Sequence, residues 1–231
     1  MAMAKKRKNG NYVTENRARK IEEKLAQKRK RKIKEYVKTA VIAAVAVLLI
    51  AAVIVGICAL AGAFKYRPKA TSHVTVTLSN GETLHIELYG NDAPKTVEKF
   101  LSDVGTGFYK NAELHTLVNG LLYGGQMNSG VLTGGITGEF EANGFKNKIK
   151  HERGVISMAR NADSYNSAFG QFFIVTDKSP ELDGNYAAFG KIIDGMDIID
   201  AAIKNAEVSK EGIITAQYRL TITNITVHDA H

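Results

Sequence analysis

Between Gly154 and Met196 the chain reads GVISMARNADSYNSAFGQFFIVTDKSPELDGNYAAFGKIIDGM, which sets two short apolar runs, Val155–Met158 and Phe172–Val175, around a loop of Asn, Asp, Ser and Tyr. Runs of this length between turn residues read as buried strands, and a polar loop that no packed core requires reads as surface that touches a partner. The chemistry such a groove offers is recognition by rings, amides and hydroxyls. Other chemistries lack their residues. Ser157, Ser167 and Cys58 show no arrangement of a nucleophile with its base. His73, His85, His151, His228 and His231 have no ligand spacing, so neither metal nor cofactor is expected. Gly124-Gly125 and Gly134-Gly135 lack the Lys-Ser/Thr and helix start of a phosphate cradle and read as turns.

The elements that must position this groove are legible in outline. Val74, Val76 and Leu78 alternate with polar residues, Asn80-Gly81 supplies a turn, and Leu84, Ile86 and Leu88 alternate again, which predicts a hairpin with one buried face. Pro94 opens a helix whose Val97, Phe100, Leu101 and Val104 share a face, and Gly105 and Gly107 stop it. A second helix begins near Gly195 with Met196, Ile199, Ile203 and Ala206 on one side. A last strand is expected from Gln217 to Val227, with Tyr218, Leu220, Ile222 and Ile225 inward.

Five ordered blocks carry a family resemblance: DAPKTVEKFL, GFYKNAELHTLVNGLLYGG, SMAR, GQFFI, and LDG followed by FGKIIDGMDII. Over about Ser72 to His228 the chain resembles the cyclophilin-type peptidyl-prolyl isomerases. The resemblance implies an all-β fold, a closed antiparallel eight-stranded barrel capped by two helices, and an activity on proline-containing polypeptides. It places Phe173 and Phe189 at aromatic positions of the proline socket and Leu121 and Leu122 at its Phe-Met pair. Gln171 falls where a glutamine binds substrate backbone, Ala159 and Arg160 where the peptide lies, and His115 on the histidine of the Phe-His-Arg motif. Tyr186 takes a position where many members have histidine, and Glu181 one where some have tryptophan.

Prolyl isomerisation breaks no bond. The planar amide imposes a barrier of about 18 to 20 kcal/mol, and a catalyst must favour the twisted amide over both planar ends. An apolar socket and a hydrogen-bond donor near the prolyl nitrogen suffice. The resemblance puts Thr116 at the family's catalytic arginine, and the glutamine expected before the Gly-Gly pair is absent, since Tyr123 runs directly into Gly124. A hydrogen bond from a charged group contributes about 1.5 to 3 kcal/mol, so reduced turnover is expected. Arg160 is a candidate replacement donor. The rival expectation is a proline-binding chaperone or scaffold module without useful catalysis.

The N-terminal part is of another kind. Residues 1–38 hold 15 Lys or Arg against 4 Glu, so the arm carries +11 while the whole chain carries +8, leaving −3 for the rest. Residues 39–64 are free of charge, long enough for a membrane span, and the rival reading is a cleaved leader, since Ala59-Leu60-Ala61 has the small-x-small form of a signal-peptidase site. The basic residues before the span place the N-terminus in the cytoplasm and the C-terminal part outside, a single-pass arrangement. Lys65, Arg67 and Lys69 are the only basic residues close behind it. The expected organisation is a basic arm (1–38), a transmembrane helix (39–64), a linker (65–71) and a barrel domain (72–231). Anionic lipid is a candidate ligand of the arm, each basic residue contributing about 1 kcal/mol near such a surface. No nucleic acid is expected. Cys58, the only cysteine, leaves the outer domain without a disulfide, which suits a bacterial cell surface.

Overall fold

The computed structural model describes residues 2–63, 66–126 and 135–229. Phe64 and Lys65, where the expected span ends and the linker begins, lie outside the described residues, as do Gly134 and His231. The chain divides into two compact units, residues 1–65 and 66–231.

The first unit is one helix, α1 (Ala2–Ala63). Runs of Ala, Leu, Lys and Glu favour it, and no proline interrupts them. Val41, Leu48, Leu49 and Val55 are each more than half exposed. Its apolar stretch has a mean hydropathy of 2.7. Among the described residues α1 is the one helix long and apolar enough to cross a membrane.

The second unit carries eight strands: β1 (Ser72–Leu78), β2 (Thr83–Leu88), β3 (Glu113–Val118), β4 (Leu121–Gly125), β5 (Val155–Met158), β6 (Gln171–Val175), β7 (Ala187–Asp194) and β8 (Leu220–Asp229). Two helices accompany them, α2 (Pro94–Gly105) and α3 (Met196–Asn205). The strands close into a barrel in the order β1-β2-β7-β5-β6-β4-β3-β8. Every pairing is antiparallel. The fold is therefore all-β, the closed eight-stranded barrel with two helices that the resemblance implied.

Period-two alternation sets the first hairpin: Val74 pairs with Ile86 and Val76 with Leu84, and all four are buried. In β8 the register slips against β1, so that Thr77 faces Asn224 but Leu78 faces Ile222. The extra residue lets Ile222 and Ile225, three apart, both pack on the interior. A short 3-10 turn, Ala216–Tyr218, delays the start of this strand to Leu220, later than the sequence predicts. The segment resembling a single active-site strand folds as the β3–β4 hairpin. Asn119 and Gly120 turn it, both at positive φ (50° and 73°), as a two-residue turn matched to strand twist requires.

Helix α2 buries Val97 and Phe100 at the barrel mouth. Its first turn is capped from far away, since the Lys95 and Thr96 amides donate to the Glu139 carboxylate at 2.9 and 2.8 Å, and the Thr96 hydroxyl adds a third bond. A carboxylate there satisfies otherwise orphaned N–H groups and suits the helix dipole. The barrel interior is close-packed. A void lined by Val76, Leu84, Phe100, Phe172 and Ile222 measures about 20 Å³, room for a single water.

Packing of the second unit begins inside the stretch that reads as a linker. The Tyr66 hydroxyl donates to the Asp92 carboxylate at 2.6 Å, and the Lys148 ammonium lies 5.0 Å from its ring. That bond, with some burial, pushes the Tyr66 phenol up to about 12.

Candidate active site

Consecutive residues of a strand point to opposite faces. On β6, Phe172 turns into the barrel against Phe100 and Tyr109, and Phe173 turns out into a second apolar cluster with Tyr89, Leu121, Val155, Val175 and Ala188. Pairing then defines a row across the outer wall. Thr116 lies opposite Tyr123, Tyr123 opposite Phe173, Phe173 opposite Ser157, and Ser157 opposite Ala188. Five strands thus present one line of side chains to one groove.

Two expected members of the socket lie elsewhere. Leu122 pairs with Ile174 and packs in the barrel core, because its neighbours Leu121 and Tyr123 take the outer face. Phe189 is likewise interior, fully buried with its ring 5.3 Å from Phe100. A register shift at Ile156/Ser157 pairs Ser157 with Ala188 and Ile156 with Gly190, and Phe189 falls between them on the inner face. Conversely, Tyr123, which the resemblance leaves outside the socket, stands on the groove side. Parity along Leu121-Leu122-Tyr123 carried that signal.

The outward ring at the centre is not bare. Phe173 is 1% exposed. Tyr123 lies 5.5 Å from it at 49°, Tyr186 meets it edge-on at 5.5 Å and 84°, and the His151 ring stacks at 6.1 Å. Leu182 and Ala159 pack against the same cluster. The aromatic cup is closed by the protein's own tyrosines.

Behind Phe173 lies a hydrogen-bonded chain that residue spacing did not reveal. Asp183 Oδ1 accepts from the His151 amide at 2.8 Å and sits 3.1 Å from His151 Nδ1, while His151 Nε2 is 3.1 Å from Ser157 Oγ. These are the distances of a nucleophilic triad, but Ser157 is fully buried and His151 2% exposed, so no substrate reaches them. The chain instead buttresses Phe173. Burial lowers the His151 pKa more than the carboxylate raises it, and the ring is neutral. Burial pulls the Asp183 carboxyl the other way, but the bonds from His151 and Lys150 hold it low overall.

The polar side chains around the cup are engaged. Thr116 Oγ1 is 2.8 Å from His115 Nδ1. His115 is buried, its Nε2 has no partner among the described residues, and burial lowers its pKa, the Arg219 charge adding to the effect. Gln171 Nε2 donates to Gln126 O at 2.9 Å, and Gln171 O accepts from the Ala159 amide at 2.9 Å, joining the ends of β4, β5 and β6 at one rim. Arg160 does not swing toward Thr116. Its guanidinium donates to the carbonyls of Asn185, Asn161 and Ala162 and stacks on Phe140, Tyr165 and Tyr186, the last at 4.6 Å.

Thr116 is two strands from Phe173, about 10 Å at the usual strand spacing. A threonine side chain is far shorter than that distance. The position can thus hold its neighbours but cannot bring a donor over the cup.

Residues 73–227 match the family described as cyclophilin type peptidyl-prolyl cis-trans isomerase/CLD. The chain is 36% identical over 141 residues to peptidyl-prolyl cis-trans isomerase-like 2 of Cryptococcus neoformans, a match covering 59% of this chain and only 24% of that longer protein. It is 34% identical over 152 residues to peptidyl-prolyl cis-trans isomerase-like 3 of Gallus gallus, covering 63% of this chain and 89% of that one. A crystal structure of a cyclophilin type isomerase from Cryptosporidium parvum, determined in the presence of the dipeptide Ala-Pro, superposes with a TM-score of 0.56 at 29% identity. That match covers 68% of this chain and 99% of the other.

Proposed function

Because the chain belongs to the cyclophilin type peptidyl-prolyl cis-trans isomerase family, we propose that it binds proline-containing polypeptides in the groove over Phe173 and isomerises them with reduced turnover. The observation that carries this reading is the row Thr116–Tyr123–Phe173–Ser157, which sets two aromatic rings side by side on the outer wall. Peptide backbone runs along the rim made by Ala159 and Gln171, and the prolyl ring packs against Phe173 once the tyrosine rings part. Rotation about the amide removes conjugation, and the prolyl nitrogen then gains a lone pair that a donor can stabilise. Each aromatic contact displaced costs about 0.5 to 1.5 kcal/mol, which weakens binding.

The apolar part of α1 anchors the protein in a membrane, and its basic arm rests on anionic lipid on the cytoplasmic side. The barrel then works on exported or surface polypeptides.

The near-complete burial of Phe173 favours a second reading, a proline-binding module without useful catalysis. Exchange spectroscopy on an Ala-Pro peptide with a fragment of residues 66–231 separates the two. That fragment is a self-contained unit, and the Cryptosporidium parvum chain, 99% covered by the match, consists of this barrel alone. Faster cis/trans exchange supports the isomerase, and shifted resonances without faster exchange support the module. An unmoved spectrum overturns both.

A further inference from the structure

The geometry points to Tyr123 as a catalytic residue, its phenolic O–H donating to the prolyl nitrogen in the twisted amide in place of the absent arginine. The inference rests on the isomerase reading above and deepens it.

Thr116, Gln171, Arg160, Ser157, His151 and Tyr89 are the other side-chain donors around Phe173, and of these His151 is bonded to Asp183 and Ser157 while the Tyr89 hydroxyl donates to Glu87. Thr116 is two strands away and paired with His115. Gln171 is tied to Gln126, and Arg160 is held by three carbonyls and three rings. Ser157 lies beneath Phe173, fully buried and bonded to His151. Two phenols remain. Neither the Tyr123 nor the Tyr186 hydroxyl makes a hydrogen bond among the described residues, and both residues are only partly buried. The Tyr186 ring is engaged by both the Arg160 guanidinium at 4.6 Å and the Phe173 ring at 5.5 Å. Tyr123 stands on the strand between Thr116 and Phe173, the side from which an arginine at 116 would act.

Strand spacing makes the reach reasonable. Tyr123 is one strand, about 4.8 Å, from Phe173, and a tyrosine side chain is longer than that. Its ring lies 5.5 Å from the Phe173 ring, so its hydroxyl belongs to the same cup. Burial raises the phenol's pKa, and the nearby Tyr186 adds to this, so the O–H keeps its proton through the neutral range. A phenol is a neutral donor, weaker than guanidinium, which fits the reduced turnover proposed above. No proton is transferred and no bond breaks; the hydrogen bond forms as the nitrogen pyramidalises and is released when the amide flattens.

The test is Tyr123→Phe in the 66–231 fragment, with cis/trans exchange rate and peptide affinity measured separately on an Ala-Pro peptide. The expected result is a rate lower by about 3- to 10-fold, the range for one neutral hydrogen bond, with affinity unchanged. A second variant guards against a structural effect: in a Thr116→Arg background, where a charged donor serves the same nitrogen, Tyr123→Phe should lose much less. Wild-type acceleration that Tyr123→Phe leaves intact overturns the assignment and spares the isomerase reading. Absence of acceleration in the wild type removes the isomerase reading, and this assignment with it.

Discussion

The ring of Tyr186 meets the ring of Phe173 edge-on, 5.5 Å between centroids, and the Arg160 guanidinium lies 4.6 Å from the centre of the Tyr186 ring. An aromatic contact of this kind is worth about 0.5 to 1.5 kcal/mol. Tyr186→Ala should therefore uncover Phe173 and tighten binding of an Ala-Pro peptide by roughly 2- to 12-fold. Resonance titration of the barrel fragment measures it, and affinity that stays level or falls contradicts a self-closed cup.

On the proposed isomerase reading, Thr116→Arg should raise isomerisation by about 10- to 100-fold, since a charged donor introduced at the edge of the row contributes about 1.5 to 3 kcal/mol. Peptide affinity should change less than the rate. A variant with intact fold and no gain would mean that a residue at 116 has no line to the prolyl nitrogen.

Acid should destabilise the barrel through His115 and His151. Both are held below the ordinary histidine value of about 6.5, chiefly by burial. As pH falls through about 6.5 the unfolded chain takes up protons that the folded chain does not, so unfolding becomes easier; above that value the two states bind the same number. Melting temperatures of the barrel fragment should drop between pH 7.5 and pH 5.5, and His151→Gln should flatten the slope. A melting temperature independent of pH in that window counts against neutral buried rings.

Glu139→Ala should destabilise the barrel by about 2 to 4 kcal/mol, because it strands the Lys95 and Thr96 amides and the Thr96 hydroxyl at the start of α2. Denaturant unfolding reads this directly. Glu139→Gln, which keeps an acceptor, should lose less, and equal losses would point to packing instead of capping.

Local periodicity carried much of the architecture. Alternation at Val74, Val76 and Leu78 and the spacing of Val97 and Phe100 depend only on neighbours a few residues away, and β1 and α2 follow them. The charge-free run 39–64 likewise specifies an apolar helix by composition alone. Across the site the determinants are long-range. Which of Leu121, Leu122 and Tyr123 faces the groove depends on pairing with β6, and the inward turn of Phe189 depends on a slip between β5 and β7.

The same holds for the polar partners. Asp183, His151 and Ser157 meet across separations of 32 and 6 residues, with no motif to announce them. Residue order by itself determined that this chain would carry a basic arm, an apolar helix and a proline-family barrel with threonine at 116. Only tertiary structure decided that the cup is roofed by Tyr123 and Tyr186, because which side chains share a groove is settled by register and barrel closure, and those are properties of strands brought together from distant parts of the chain.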